Sequence, residues 1–330
     1  MDFSLTDEQR MIRETARTLF GRECTLDLVR RAWADPEAAR PLWDNHLIDW
    51  LELAAQPLTD ITLFMEEYGR AVVPGAYFAS LLAAFVAGTV DARITGAASV
   101  AVAGPDGYWI PHGEPDWHFV LTADQAQQLV VVSGSPQAPR VAVVPAAGLA
   151  MDEVQHMDQL RRQYRVAGSA LPPGQAIDPL AWEQAVRRAL VAAAAELVGV
   201  GRWLLDSAVA YAQERQQFGR PIGSFQGLQW KLVDAALELE RAAAAVSWAA
   251  MCEDAGDPEA KSAAHCAKLE AGSAARRCAR TSLQVHGGIG YTWDHGLHFW
   301  LRRAYAGDAF MGPSDYHARC LAADLFPAGR

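Results

Sequence analysis

Close cysteine pairs are missing from this sequence. Its 330 residues include five cysteines, at positions 24, 252, 266, 278 and 320, and no two of them stand in a C-x-x-C spacing. An odd number in this arrangement predicts neither a disulfide framework nor a zinc site, and it favours the reducing cytoplasm. The start of the chain also lacks a basic region followed by an apolar run, so we expect no secretory signal.

Positive charge is scarce as well. Lys and Arg number 29 against 39 Asp and Glu, which gives a formal net charge of -10 at pH 7 with neutral His. Such a surface repels phosphate polymers on average, so nucleic acid is not expected as a partner. One uncharged run, residues 71–90, is long enough to span a membrane, but Pro74 and Gly75 interrupt it. We predict a turn there followed by a buried helix, and no membrane span.

Apolar residues are abundant enough for a large core. The chain is 51% hydrophobic and 21% charged, a balance that excludes disorder throughout. Helical periodicity covers most of residues 5–88, where Thr6 is placed to cap a first helix and residues 39–54 form another helical stretch. Short β-branched or aromatic runs follow and predict a small antiparallel sheet or barrel. These runs are residues 99–103, 108–111, 118–122, 129–133 and 141–144.

Long helical patterns return in the last part of the chain. They cover residues 180–217, 224–253 and 258–286, with a shorter helix after Pro313, and Ser224 is a suitable N-cap for the second. The sequence therefore predicts a mainly α fold with a small β domain. The expected divisions are an N-terminal helical domain at residues 1–96, a reduced β domain with a linker at 97–177, and a C-terminal helical bundle at 178–330.

Two clusters in the last part are not explained by bundle packing. The first is RQQFGRPI at residues 215–222, and the second is QVHGGIGYT at residues 284–292. The glycines of the second let backbone N–H groups approach an anion closely, and Arg215 is a fixed cation suited to a pyrophosphate. The alternative is that the glycines only end a helix and that Arg215 is a solvated cation at a helix end. His286 has the same two interpretations, near a nucleotide or satisfying helix-end carbonyls.

Taken in this order, inside a layout of helices, sheet and helices, these clusters resemble the flavin-dependent acyl-CoA dehydrogenase family. The resemblance begins with LTDEQ at residues 5–9, returns at EYGR at residues 67–70, and is strongest over residues 215–303. It implies that the last part is a four-helix bundle. It also implies four residues that hold the ADP part of an FAD bound mainly by a neighbouring subunit. These are Arg215, Phe218, Gln284 and Gly288.

The catalytic base that the family resemblance implies has no counterpart. Counted without a gap, Met311 stands where the glutamate of the family's Y-E-G-T run belongs, and Ala189 stands at the alternative position on an earlier helix. Neither side chain accepts a proton at neutral pH, so we predict no catalytic residue. Glu196 lies on the same helix face as Ala189 but about 10 Å away. Asp308 and Asp315 flank the lost site and are expected to be surface or helix-capping carboxylates.

The middle part also departs from the family. It lacks the family's T-E-P-x-x-G-S-D stretch and its W-I-T strand, which wrap the flavin ring. Its tryptophans Trp109 and Trp117 are predicted to pack in the sheet. Pro313 replaces the threonine that would bond the chain's own flavin. The features that match the family serve a neighbour's FAD, and the features that are missing serve the chain's own.

This asymmetry predicts a non-catalytic subunit of a heterotetrameric acyl-CoA dehydrogenase. A catalytic partner subunit would bind most of the FAD and the acyl-CoA, and the resemblance suggests bulky thioesters such as those of steroid side chains. Two alternatives stay open. One is a self-sufficient enzyme with an unusual base such as Asp315 or Glu196, and the other is a scaffold subunit without flavin contact.

Overall fold

The computed structural model describes residues 3–114, 116–168, 171–172 and 174–326. Its N-terminal part is helical, and Thr6 caps the first helix by accepting a hydrogen bond from the Gln9 amide while Gln9 bonds back to the Thr6 amide. The helices are α1 (Asp7–Glu23), α2 (Leu26–Ala34), α3 (Arg40–Leu42), α4 (Leu58–Arg70) and α5 (Tyr77–Ala87).

Residues 36–55 differ from the regular helix that the periodicity predicts. They form short turns, including a 3-10 segment at Pro36–Ala39 and a π segment at Trp43–Leu47. Proline at positions 36 and 41 removes backbone donors there, which breaks a continuous α-helical ladder. The predicted turn before α5 is confirmed, with Gly75 at φ 92°. Among the described residues, no helix combines the length and the apolar character needed to cross a membrane.

The middle part folds into two small sheets rather than one antiparallel sheet or barrel. In the first, the strand order is β1-β3-β4-β7, and β1 runs parallel to β3 with Ala98 opposite Gln128. In the second, the antiparallel order is β2-β6-β5. The strands are β1 (Ala98–Ala101), β2 (Asp116–Leu121), β3 (Gln128–Ser135), β4 (Ala138–Pro145), β5 (Met151–Val154), β6 (Gln163–Ala167) and β7 (Gln175–Ala176).

The prediction of a strand at residues 108–111 is wrong. Tyr108 stacks on Tyr316 with ring centroids 4.4 Å apart, and Trp109 meets Phe310 edge-on at 5.7 Å. The β-like aromatic pattern of this run therefore comes from packing against the last helices, not from pairing in a sheet.

The C-terminal part is a set of long helices, as predicted. Asp178 caps the first by accepting from the Leu180 amide at 2.9 Å. Ser224 does not cap the second; its hydroxyl donates to the Pro221 carbonyl, and Phe225 takes the N-cap position. The elements are α6 (Pro179–Glu214), β8 (Gln216–Gln217), β9 (Arg220–Pro221), α7 (Gln226–Ala255), α8 (Ala260–His286), α9 (Leu297–Ala309) and α10 (Ser314–Leu325).

Helices α4 and α6 touch backbone to backbone, which fixes the N-terminal helices on the C-terminal ones. A Cβ on Gly69 would lie 2.0 Å from the Glu196 carbonyl oxygen, and a Cβ on Gly199 would lie 1.8 Å from the Glu66 carbonyl oxygen. Glycine is required at both places because any side chain would push the helices apart. Residues of all three predicted domains contribute to one hydrophobic core cluster, and their boundaries stay a prediction.

Candidate functional site

The first predicted motif forms a tight hairpin where α6 ends. Arg215 is the C-cap of α6, and β8 pairs with β9 so that Gln217 lies opposite Arg220. Phe218 and Gly219 form the turn with φ of 53° and 76°. Positive φ is strained for an aromatic residue, yet 92% of Phe218 is exposed, with an edge contact to Phe225 at 6.1 Å. The hairpin holds an aromatic ring out in solvent.

The second predicted motif forms the end of α8. Gly287 at φ 61° stops the helix, and a 3-10 turn at Gly287–Tyr291 follows. Around Gly288, no atom lies within 4 Å of the place a Cβ would take, so its backbone is open to approach. Gln284 is exposed on the last turn, where its Oε1 accepts a hydrogen bond from Lys231 Nζ at 2.6 Å. The helix stop at Gly287 is observed, and the approach of an anion to the backbone of these glycines stays a prediction.

The two motifs meet at a cavity of about 560 Å³. Of the four predicted nucleotide ligands, the cavity brings together Arg215 and Gly288. Phe218 stands at the tip of the hairpin and Gln284 on the outer face of α8, so neither lines it. The lining residues are Tyr211, Arg215, Gln217, Ile222, Val285, His286, Gly288 and Ile289.

His286 lines this cavity with an uncharged imidazole ring. Its Nδ1 lies 2.8 Å from the Ser282 carbonyl oxygen, so Nδ1 carries the proton and donates, while Nε2 lies 3.4 Å from the Ser207 hydroxyl. Burial lowers the pKa of His286 below its ordinary value, and its ring stacks on Tyr211 at 4.7 Å. The helix-end interpretation of His286 is confirmed, and Arg215 supplies the fixed positive charge of the lining.

At the position predicted for the family's base, the structure has a buried thioether. Met311 is 3% exposed and has φ 59°, and Gly312 follows at φ 107°. Lys268, wholly buried on α8, donates from Nζ to the carbonyls of Asp308 at 2.9 Å and Gly312 at 3.3 Å. Burial lowers the pKa of Lys268 to about 8. This ammonium group holds the turn at residues 310–313, which we call the Met311 turn. Ala189, at the alternative position, is also fully buried.

The space next to the Met311 turn is filled by aromatic rings. Phe310 packs edge-on against Phe78 and Trp109, with centroids 5.7 Å away in each case. The cavity that remains, bounded by Trp109, Phe119 and Phe310, has a volume of about 10 Å³, room for no more than one water molecule. Trp109 lies outside the strands, where it contacts Phe310 and shares the lining of this cavity with Val100 and Leu121 of the sheets. Trp117 packs in the sheet as predicted, on β2, and donates to the Val132 carbonyl at 2.7 Å.

Glu196 is held in a buried ion cluster and is not free to act as a base. Arg161 donates to its two oxygens at 2.9 and 2.5 Å, and Arg303 donates at 2.8 Å and also bonds Asp158. Burial alone would raise the pKa of Glu196, but the two guanidinium groups lower it below its ordinary value. The cluster, which consists of Asp158, Arg161, Glu196 and Arg303, was not predictable from the sequence pattern.

The two aspartates that flank the Met311 turn differ in burial and in their partners. Asp308 is 5% exposed, so the prediction of a surface carboxylate is wrong; it accepts a hydrogen bond from Ser314 at 2.6 Å and pairs with Arg276 at 3.2 Å. Gly272 leaves the room for it, since a Cβ there would lie 2.1 Å from Asp308 Oδ1. Asp315 is exposed in the first turn of α10, as expected for a carboxylate at a helix start.

Known structures share this fold over the whole chain. The ChsE4-ChsE5 complex from Mycobacterium tuberculosis superposes with a TM-score of 0.86 at 20% identity, and covers 100% of both chains. A variant of the Tcur3481-Tcur3483 steroid ACAD superposes with a TM-score of 0.83 at 24% identity, and covers 98% of each. These similarities confirm the predicted mainly α fold with a small β region.

Sequence relatives extend the similarity beyond the fold. The family described as acyl-CoA dehydrogenase, C-terminal domain, matches residues 180–326. The NADH-dependent acryloyl-CoA reductase of Anaerotignum propionicum is 37% identical over 142 residues, which span 43% of this chain and only 36% of that relative. Acyl-CoA dehydrogenase IpdE2 of Mycobacterium tuberculosis is 30% identical over 312 residues and 91% of both chains. The chain therefore belongs to the acyl-CoA dehydrogenase family.

Proposed function

We propose that this chain is the non-catalytic subunit of a heteromeric, flavin-dependent acyl-CoA dehydrogenase. Arg215, Phe218, Gln284 and Gly288 supply the ADP-side half of an FAD site whose other half lies on a catalytic partner subunit. One contrast carries the proposal: the cavity at Arg215 measures about 560 Å³, whereas the one at Phe310 measures about 10 Å³. This pair of cavities leaves room for a nucleotide at the surface near Arg215 and no room for a substrate in the small cavity beside Phe310.

The residues around the larger cavity fit the ADP part of FAD. The guanidinium of Arg215 suits a diphosphate, and the open backbone at Gly288 lets an N–H group reach an anion. The neutral ring of His286 adds no competing charge, and Phe218 offers an exposed aromatic ring at the tip of the hairpin that carries Arg215 and Gln217. When bound, FAD supplies the acceptor for the hydride that leaves the acyl group. This chain would bind and orient the nucleotide end only.

On this proposal the partner subunit removes the α-proton of the acyl-CoA. The base needs a carboxylate within hydrogen-bond reach of the substrate, and Met311 and Ala189 occupy the two positions where the family carries one. Glu196 and Asp308 are already bound to arginines. The acyl-CoA would then be bound mainly by the partner. A structural neighbour named as a steroid ACAD supports a steroid side-chain thioester as the substrate class.

We expect Arg215→Ala to lower the FAD content of the complex while the two subunits stay associated. Losing a charged hydrogen bond of about 1.5 to 3 kcal/mol weakens FAD binding roughly ten- to hundredfold. The chain is purified with its partner from the native source, and flavins are counted per chain by absorbance. Arg93→Ala is the control, because Arg93 is 82% exposed in the loop before β1 and, among the ion pairs of the described residues, pairs only with Glu52 of the N-terminal part, at 3.8 Å. Full flavin content in Arg215→Ala, or a yellow and active isolated chain, would contradict the proposal.

Restoring a carboxylate at the Met311 turn should not restore catalysis. In Met311→Glu the new side chain points into packed residues, because Phe310 and Trp109 still fill the adjoining space. We expect no dehydrogenation by the isolated variant, measured with an acyl-CoA and an artificial electron acceptor. Met311→Leu serves as the control for the change in shape without a carboxylate. Turnover by Met311→Glu alone would show that a functional pocket is still present.

A further inference from the structure

Lys231 is one of only three lysines in the chain, and its contact differs from those of the other two. Lys268 is buried and bonds two backbone carbonyls, and Lys261 pairs with a carboxylate of α10 at 3.3 Å. Lys231 is exposed on α7 and donates from Nζ to Gln284 Oε1 at 2.6 Å. Among the described residues Lys231 pairs with no carboxylate, so its ammonium group is engaged by a proposed ligand of the nucleotide.

The bond to Lys231 fixes which way round the Gln284 amide lies. An ammonium group only donates, so the amide atom that faces Nζ must be the oxygen. The amide NH2 group of Gln284 then points away from Lys231, and within the described part of the chain it makes no hydrogen bond. Phosphate oxygens are strong acceptors, so the side of the amide that this bond leaves available is the side that suits a diphosphate.

Apolar packing next to the cavity fixes the backbone that carries Lys231. Leu228 and Leu232, three residues before it and one residue after it on α7, pack on a small buried cluster that contains Val285 of α8. Val285 follows Gln284 in the sequence and lines the cavity. Because both helices are anchored at this cluster, only the two side chains have to be ordered for the bond to form.

We infer that Lys231 is a positioning residue for the nucleotide, which holds the Gln284 amide with its NH2 group available to a diphosphate oxygen. The inference rests on the proposed function, since it takes Gln284 to be a ligand of the ADP part of FAD. It adds a residue to the four that the family resemblance implies. Without Lys231 the amide is free to turn over, and it then also presents its oxygen, which repels a phosphate oxygen.

A direct attraction between the Lys231 ammonium and the diphosphate makes a different prediction. A charge effect of this kind does not need the Gln284 side chain, and it weakens as salt is added. A positioning effect disappears when Gln284 is truncated, because there is no amide left to orient. Substitutions of Lys231 and Gln284, made singly and together, therefore distinguish the two roles.

The test is the Kd of FAD for the complex. Each variant is expressed together with the partner chain that co-purifies with the wild type, and free FAD is measured by its fluorescence as the complex is diluted. We expect Lys231→Met to raise the Kd about tenfold, within the range for residues in contact. In a Gln284→Ala background the same substitution should change the Kd by less than about twofold.

Two further variants control for charge and for structure. Lys261→Met removes the same charge from a side chain that is 55% exposed at the start of α8, about 35 Å along the helix from Gln284. Its Kd should equal that of the wild type. Lys231→Arg keeps a side chain that only donates, so its Kd should stay within about threefold of the wild type.

The outcomes separate this inference from the proposed function. An unchanged Kd in Lys231→Met overturns the inference, and so does an equal loss in both Gln284 backgrounds or an equal loss in Lys231→Arg. An unchanged Kd in Gln284→Ala also overturns it, while a loss of flavin in Arg215→Ala still supports the shared site. Full flavin content in Arg215→Ala overturns the proposed function, and the inference with it. Support requires a loss in Lys231→Met that vanishes without Gln284, together with an unaffected Lys261→Met.

Discussion

Arg303→Met should lower the free energy of unfolding by about 3 to 5 kcal/mol. Arg303 is 1% exposed and bonds two carboxylates, Asp158 next to the second sheet and Glu196 on α6, while it sits itself on α9. Removing the guanidinium leaves Asp158 buried without its direct partner, and a buried unpaired charge is far costlier than an exposed one. The measurement is the urea midpoint of the purified chain.

Arg31→Met is the control for Arg303→Met. Arg31 pairs with Asp27 at 2.9 Å on the surface of α2, where both side chains are more than half exposed. Exposed pairs of this kind contribute about 0.5 kcal/mol or less. A midpoint shift for Arg303→Met as small as that of Arg31→Met would show that the buried cluster does not stabilise the fold.

The cost of Arg303→Met should also depend on pH. In the wild type, burial raises the pKa of Asp158, but the Arg303 and Arg161 guanidiniums outweigh it and hold the pKa below its ordinary value. A lowered carboxylate pKa gives stability that is present above about pH 4 and is lost as the pH falls further. Without Arg303, burial makes protonated Asp158 the favoured form. The difference in the free energy of unfolding between the wild type and Arg303→Met should therefore become smaller as the pH is lowered from about 7 to about 4.

Gly199→Ala should destabilise the chain by about 3 kcal/mol, the upper end of what overpacking costs. The new methyl group would lie 1.8 Å from the Glu66 carbonyl oxygen and 2.8 Å from the Arg70 amide nitrogen. Both are backbone atoms, so α4 and α6 must separate, and the side chains between them lose contact. Urea midpoints provide the comparison with the wild type.

Gly21→Ala is the matched control for Gly199→Ala, because the same methyl group on α1 meets no atom within 4 Å. Alanine is the better helix former, so this variant should gain about 0.5 to 1 kcal/mol. Opposite signs for the two substitutions are the expected result. If Gly199→Ala is as stable as Gly21→Ala, the close contact of α4 and α6 is not a constraint.

Local sequence signals were enough to predict most of the helical parts of the fold. Thr6 caps α1 with Gln9, and Gly287 ends α8, as residue types with strong local preferences should. The buried ion cluster could not be predicted from the sequence, because Arg161 and Glu196 are 35 residues apart and Asp158 and Arg303 are 145 residues apart. Nothing in the local sequence around these residues indicates that they are neighbours, because their contacts are set by long-range packing.

The candidate site was predictable to a similar extent. The motifs indicated that Arg215 and Gly288 belong together, and the structure places both at one cavity. They did not indicate that Gln284 would be bonded to Lys231, which comes from the neighbouring helix. The strand prediction for residues 108–111 was wrong for a related reason: the adjacent aromatic residues Tyr108 and Trp109 suit a strand equally well, and here they pack against Tyr316 and Phe310.

The Met311 turn has a consequence for descent. An ancestor with a working centre could lose it by a single replacement, but the present arrangement combines several: Phe310 packed on Trp109, Pro313 after a left-handed Gly312, and Lys268 bonded to two carbonyls. Reversing one of these features leaves the others in place. On the proposed function, a single substitution therefore does not rebuild a reaction centre at this turn, and the chain depends on its partner subunit for the chemistry.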